Sequence, residues 1–301
     1  MSQTDAMTEV PTLAPPDRDP QPPSFEMPAG ACDCHAHVCG PADRYSYYAK
    51  RIYTPEDAPV GEYRQMLATL GVTRAVLVQP SFYGTDNSAM LDAIQVAGAN
   101  FRGVAVLDDD VSEAELARLH EGGVRGVRFN IVDTREDKGV LPVERLRRMA
   151  ERVERFGWHI ELLMHVDEFP DLDRAFAGFP VDLVFGHLGY VRTEKGTEAP
   201  GFQALLRLMK TGKAWVKLTG PYRISGQDLP HEDTNAFAHA LLSAAPDRVL
   251  WGTDWPHVMV NWTIPMPNDG RLADVLLNWV PDAGLRRQVL VDNPAKLYGF
   301  R

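Results

Sequence analysis

From Ala31 onward the chain alternates short apolar runs with amphipathic stretches. The apolar runs fall at residues 31–37, 73–79, 101–107, 124–130, 158–165, 181–187, 214–219 and 248–254. Runs such as TRAVLVQ and VDLVFGH, apolar and rich in β-branched residues, suit strands buried on both faces. The stretches between them repeat apolar residues at helical spacing, over residues 60–70, 87–97, 112–121, 141–156, 171–179, 201–210 and 234–244. Gly71 ends the first of these helices, and Asp86 or Asn87 caps the second. Two closing helices, 272–279 and 283–290, and a short one opened by Pro294 finish the chain. Eight strands alternating with helices predict parallel pairing through right-handed crossovers, hence a (β/α)8 TIM barrel with its active site at the C-terminal strand ends.

Those ends are where the polar residues fall. The first run closes on Asp33-Cys34-His35-Ala36-His37. Strand alternation turns Asp33, His35 and His37 to one face and Cys32, Cys34 and Ala36 to the other. Paired neutral imidazoles on a rigid strand suit a divalent ion, and the same alternation argues against a zinc knuckle that would need Cys32 and Cys34 beside the histidines. Later runs end on or near Arg128, His165, His187 and Asp254. Any one of these serves equally well as a hydrogen-bonded structural residue, but a barrel gathers all the strand ends in one mouth. His35, His37, His165, His187 and Asp254 are therefore read together as one candidate site, and a divalent ion on the histidine pair would need further ligands from elsewhere in the chain.

Composition narrows the partners. A chain of 301 residues, 45% hydrophobic, can bury one large barrel core. A net charge of −10 without a long basic block argues against nucleic acid and anionic membrane, yet local arginines still allow an anionic small substrate. Three cysteines clustered at Cys32, Cys34 and Cys39 suit a reducing, cytoplasmic setting better than a disulfide framework. Residues 1–28, rich in Pro, Asp, Glu, Gln and Thr, read as a disordered or surface-draped arm before a catalytic domain of residues 29–301. No run approaches the roughly 20 apolar residues of a membrane span.

The segments DCHAHVCGPADRY, GVRGVRFN, VLWGTDWPH and LVDNPAKLYGF, with His on strands five and six, resemble the amidohydrolase superfamily. Within it they are similar to the branch of 2-pyrone-4,6-dicarboxylate lactonase and 4-sulfomuconolactone hydrolase. The resemblance runs from about Pro28 to the C-terminus. It implies that His35, His37 and His187 surround a lactone, that Asp254 acts as base toward water, and that Arg128 and Arg223 bind carboxylates, with Ser81 and Tyr53 nearby. His257, following Asp254 in GTDWPH, is a candidate for the same pocket, and so is Tyr222. The chain departs from the pyrone lactonase pattern in two places. Leu163 stands where a tyrosine is expected on strand five, and Asn130 is followed by Ile131-Val132-Asp133-Thr134 with Arg135 only beyond.

His165 restores the ligand set of a mononuclear metal site and shifts the likeness toward metal-dependent relatives, which implies His35, His37, His165 and Asp254 as the candidate metal ligands, for Zn2+ in the first place and Mn2+ in the second. The expected activity is opening of a carboxylated or sulfonated lactone by metal-activated water, with Asp254 as base and the metal or His187 stabilising the oxyanion. The alternatives are a metal-dependent decarboxylase of the same superfamily, a metal-free pyrone dicarboxylate lactonase, and a catalytically silent barrel that binds an acidic metabolite. Homo-oligomerisation is left open.

Overall fold

The computed structural model describes residues 10–132, 140–259 and 264–300. Its strands are β1 (Cys32–Ala36), β2 (Arg74–Val78), β3 (Phe101–Ala105), β4 (Val124–Asn130), β5 (His159–Leu163), β6 (Leu183–Phe185), β7 (Ala214–Leu218) and β8 (Val249–Trp251). They form one sheet in sequential order, and every hydrogen-bonded neighbour is parallel. The seam closes just past the strands, where the Asp254 N–H donates to the His35 carbonyl at 2.8 Å and the His37 N–H to the Trp255 carbonyl at 2.7 Å. Each strand lies inside its predicted run, and the barrel is the predicted one.

The connecting helices are α1 (Val60–Leu70), α2 (Ser88–Ala97), α3 (Glu113–Glu121), α4 (Val143–Val153), α5 (Leu172–Ala175), α6 (Pro200–Lys210) and α7 (Asn235–Ala244). α5 is a single turn where a longer helix is predicted; Gly178, at φ +63°, and Pro180 end the stretch early. The chain closes through α8 (Asp269–Asp274), α9 (Leu276–Trp279), α10 (Ala283–Arg287), a π-turn at Gln288–Asp292 and α11 (Asn293–Tyr298). Leu77, Val127, Ile160, Leu162 and Phe185 point outward into the layer shared with the helices. Cys32, Cys34, Val76, Val78, Val104, Val184, Trp215 and Leu250 fill the interior. Tyr298 stops the interior at the end where β5 begins, its ring 5.4 Å from that of His159.

One local feature overturns the strand alternation read from sequence. Between Asp33 and Ala36 the β1–β2 register slips, so three steps on β1 match two on β2. An extra residue of this kind re-aims the side chains that follow it. Asp33 consequently faces the helical layer, accepting hydrogen bonds from Tyr63 of α1 at 2.9 Å and from the Thr253 hydroxyl at 2.5 Å. Cys34 and His35 both face the interior, Cys34 within the apolar cluster and His35 beside Lys217 and Glu161. Burial pushes the Asp33 carboxyl up to about 6, despite four donors that favour its charged form.

The segment before β1 is tied to the barrel. Leu13 is buried and its N–H donates to the Thr54 carbonyl at 2.9 Å, while the Thr54 N–H donates to the Pro11 carbonyl at 2.8 Å. Asp17 accepts from the Asn268 amide at 2.8 Å, the Gln21 N–H donates to Asn268 at 3.2 Å, and the Ser24 N–H donates to Asp274 at 2.6 Å. A side chain on Gly270 would overlap the Gln21 carbonyl, so glycine there lets the segment cross directly over α8. Residues 1–9 of the expected arm lie outside the described residues. No helix among the described residues is long and apolar enough to cross a membrane.

Candidate active site

A cavity of about 190 Å3 opens at the C-terminal strand ends. His37, Tyr53, Ser81, Arg128, His187, Arg223 and Asp254 line it, together with Leu163 and Tyr190. Seven residues named from sequence thus meet in one space, delivered by the ends of β1, β2, β4, β6, β7 and β8 or by the loops beyond.

His35, His37 and Asp254 form the one group among the described residues able to hold a metal ion, with a ligand atom from each within 4.8 Å of the others. Asp254 Oδ1 lies 3.6 Å from His35 Nε2 and 3.9 Å from His37 Nε2. Oδ1 and His35 Nε2 are buried without a hydrogen-bond partner among the described residues, an arrangement that costs free energy unless something joins them. His37 Nδ1 donates to the Val78 carbonyl at 2.7 Å, which leaves Nε2 as the bare nitrogen a metal requires. The donor set of two imidazoles and a carboxylate fits a divalent ion of the zinc type.

His165 does not join this group. It lies two residues beyond β5, where the chain has entered the turn Val166–Glu168, and its Nδ1 donates to the Tyr190 carbonyl at 2.8 Å. Its ring stacks on that of Tyr190, centroids 4.4 Å apart, and Tyr190 rather than His165 meets the cavity. The inward place at the end of β5 belongs to Leu163. His257 is also absent from the lining. It is buried behind Tyr222, with Nδ1 2.9 Å from the Tyr222 hydroxyl.

The electrostatics divide the site in two. Burial alone would raise the Asp254 carboxyl, but the Arg223 guanidinium, whose Nε donates to Oδ2 at 2.6 Å, outweighs it and holds the group well below the usual carboxylate range. Burial pushes His35, His37 and His187 down, so all three are neutral at pH 7. His187 Nδ1 faces the Thr219 carbonyl at 3.3 Å and must carry the hydrogen, leaving Nε2 an acceptor. This corrects the expectation that His187 could donate to an oxyanion. Gly220 permits the crowding, since a Cβ there would stand 2.9 Å from Asp254 Oδ2 and 3.0 Å from His187 Nδ1.

The two arginines differ. Arg223 is largely committed, to Asp254 through Nε and to the Val258 carbonyl through Nη2 at 2.7 Å. Arg128 gives Nη1 to the Gln79 carbonyl at 3.0 Å, but its buried Nε has no partner and no carboxylate among the described residues pairs with it. Arg135 lies outside the described residues.

Sequence reasoning missed what lies beneath. Lys217, fully buried on β7, donates to Glu161 of β5 at 2.6 Å and stands 3.3 Å from His35 Nδ1. Burial opposes the Glu161 charge, and Lys217 reverses that, holding the carboxyl well below its ordinary range. The signal was present in AWVKL and HIELL, each with one charge inside an apolar run.

The amidohydrolase family model matches residues 32–300. A 2-pyrone-4,6-dicarboxylate hydrolase of Comamonas testosteroni is 38% identical over 289 residues, covering 93% of each chain. A 4-sulfomuconolactone hydrolase of Rhizobium radiobacter is 38% identical over 276 residues, covering 92% of each. Among solved structures, a putative 2-pyrone-4,6-dicarboxylic acid hydrolase from Pseudomonas putida superposes with a TM-score of 0.77 at 36% identity, covering 91% of this chain and 99% of its own. A probable enzyme of the same name from Acinetobacter baumannii, with citric acid bound, gives 0.78 at 29% identity, covering 90% and 100%. With the barrel, the histidine pair at the end of β1 and the aspartate after β8 already in place, these matches establish that the chain belongs to the amidohydrolase family.

Proposed function

We propose that the chain is a lactone hydrolase that opens a carboxylated or sulfonated ring with water. The observation that carries this is the juxtaposition, in one small cavity, of an ionised Asp254 whose Oδ1 has no hydrogen-bond partner and an Arg128 whose guanidinium meets no counter-charge, both among the described residues. Arg128 binds an anionic substituent of the ring through charge-assisted hydrogen bonds. Arg223 turns Asp254 so that Oδ1 faces the histidines. Asp254 Oδ1 takes the proton of the attacking water and returns it to the ring oxygen as it leaves. His187 Nε2 accepts a hydrogen bond from water or substrate on the opposite wall, and Leu163 makes an apolar side to the pocket.

His35, His37 and Asp254 would hold a divalent cation, zinc in the first place, which supplies Lewis acidity toward an ester carbonyl and acidifies water. The relatives support the anionic lactone. Two at 38% identity are named for lactone hydrolases, and a structural relative carries a bound tricarboxylate. The test is initial-rate turnover of 2-pyrone-4,6-dicarboxylate and 4-sulfomuconolactone by protein as purified, after chelation, and after return of Zn2+ or Mn2+, with metal content measured on each sample. Loss on chelation and recovery with one metal per chain supports the reading. Full turnover by chelated protein refutes the cation's part in it and leaves Asp254 with neutral histidines.

The pH profile follows from the same shifts. The buried histidines have folded pKa values below the ordinary ~6.5, so they take up protons only at more acidic pH than free histidine would. Asp254 ionises lower still. We expect kcat/KM to stay level from pH 8 down through 6.5, with the acid limb setting in below that; a limb centred near 6.5 would contradict the assignment.

A further inference from the structure

Asp254 has two unlike oxygens. Among the described residues Oδ1 faces His35 and His37 with no hydrogen bond, whereas Oδ2 receives two, from Arg223 Nε at 2.6 Å and from the Tyr222 hydroxyl at 2.7 Å. The Tyr222 proton is spent on Oδ2, so its oxygen can only accept from behind, and what stands there is His257 Nδ1 at 2.9 Å. His257 Nε2 lies 3.2 Å from Asp269 Oδ1, and both residues are completely buried. Neither the Asp269 oxygens nor His257 Nε2 has a hydrogen-bond partner among the described residues; the two groups face each other, and His257 serves both Asp269 and Tyr222 with a hydrogen on each ring nitrogen. The backbone is bent to make this possible. Asp254 and His257 both adopt left-handed conformations, φ +69° and +62°, and the His257 N–H closes the turn on the Asp254 carbonyl at 2.7 Å. Non-glycine residues hold such angles only where surrounding contacts enforce them.

We propose that Tyr222, backed by His257 and Asp269, is a positioning device that sets which oxygen of Asp254 faces the histidine pair. Arg223 alone fixes the place of Oδ2 but leaves the carboxylate free to pivot about it. A second donor from a different direction fixes the plane and hence the aim of Oδ1. Asp269 belongs to α8, which the N-terminal segment straps down through Asn268 and Asp274, so the series runs from the outside of the barrel to the reacting oxygen. None of the three backing residues touches the cavity floor formed by Asp254, His37 and His187 in the manner of a reacting group; they act through Asp254. The consequence for turnover rests on the hydrolase reading, whereas the aim of the carboxylate does not.

The experiment is a set of crystal structures of wild type, Tyr222→Phe and Asp269→Asn, with kcat and KM measured separately on 2-pyrone-4,6-dicarboxylate and 4-sulfomuconolactone. In Tyr222→Phe the Asp254 carboxylate should rotate away from its wild-type plane, with kcat falling about tenfold or more and KM staying within about twofold, the range met when a group orienting a key carboxylate is lost. Asp269→Asn, which keeps the shape of its site, should reproduce the rotation in part and lower kcat in the same sense. Tyr222→Phe combined with Asp269→Asn should cost no more than Tyr222→Phe alone, because both act through one hydroxyl. An unmoved Asp254 in both variants, or a change in KM with kcat preserved, overturns the proposal. If wild type opens neither lactone, the hydrolase reading fails while the structures still decide the aim of Asp254. If Tyr222→Phe does not fold, the Asp269→Asn structure and rates decide it.

Discussion

Asp254→Asn lowers kcat for lactone opening by about 10²- to 10⁴-fold, the range a positioned general base contributes. Asparagine keeps an oxygen that can accept from Arg223 and Tyr222, so the pocket keeps its shape, but the side chain no longer takes a proton from water or supplies an anionic ligand. The substitution also has a stability effect whose sign is fixed. In wild type the folded pKa of Asp254 lies below its unfolded value, so the ionised group stabilises the fold at all pH above the ordinary carboxylate range, and that contribution is lost as pH falls from that range down through the depressed folded value. Removing the charge forfeits it at neutral pH. Breaking a buried pair by deleting one partner costs about 3–5 kcal/mol when the other charge is left dry. Arg223, at 11% side-chain exposure, retains some water contact and gains the amide oxygen, so the loss falls toward the lower end. The expected result is a folded protein with a Tm several degrees lower and almost no turnover. Turnover within about tenfold of wild type would remove Asp254 from the chemistry.

Arg128→Met does the opposite to stability. Arg128 is buried with an unpartnered Nε, and among the described residues no carboxylate compensates its guanidinium. A methionine of similar length fills the volume without that cost, and the Tm of the unliganded protein stays level or rises. Binding suffers instead. A hydrogen-bonded pair with a charged group contributes about 1.5–3 kcal/mol, which converts to a KM higher by roughly 10- to 150-fold at little change in kcat. Steady-state kinetics on both lactones, beside a melting curve, checks this. A fall in Tm with an unchanged KM would make Arg128 a structural residue.

The barrel was legible because its strands are long apolar runs whose type does not depend on distant contacts, and because barrel closure brings strand ends together wherever they lie in sequence. That logic placed His35, His37, Arg128, His187 and Asp254 correctly in one mouth, and the resemblance added Tyr53, Ser81 and Arg223. It failed where one residue changes the geometry. The bulge in β1 turns Asp33 outward and Cys34 inward, and nothing in DCHAH separates a bulged strand from a regular one. His165 lies past the last ladder pair of β5, so strand parity no longer governs its direction, and the stacking partner that captures it, Tyr190, comes from 25 residues later. The backing of Asp254 by Tyr222, His257 and Asp269 joins three separate loops and helices, and only the folded chain brings them together.

Hydrolysis in water enriched in ¹⁸O tests the central claim most directly. Wild-type protein given 2-pyrone-4,6-dicarboxylate or 4-sulfomuconolactone should yield an opened acid carrying one ¹⁸O in the new carboxylate, read by mass spectrometry, with the label tracking turnover and vanishing with Asp254→Asn. Consumption of either compound with release of carbon dioxide, or to an isomer of unchanged mass without label, would contradict lactone hydrolysis.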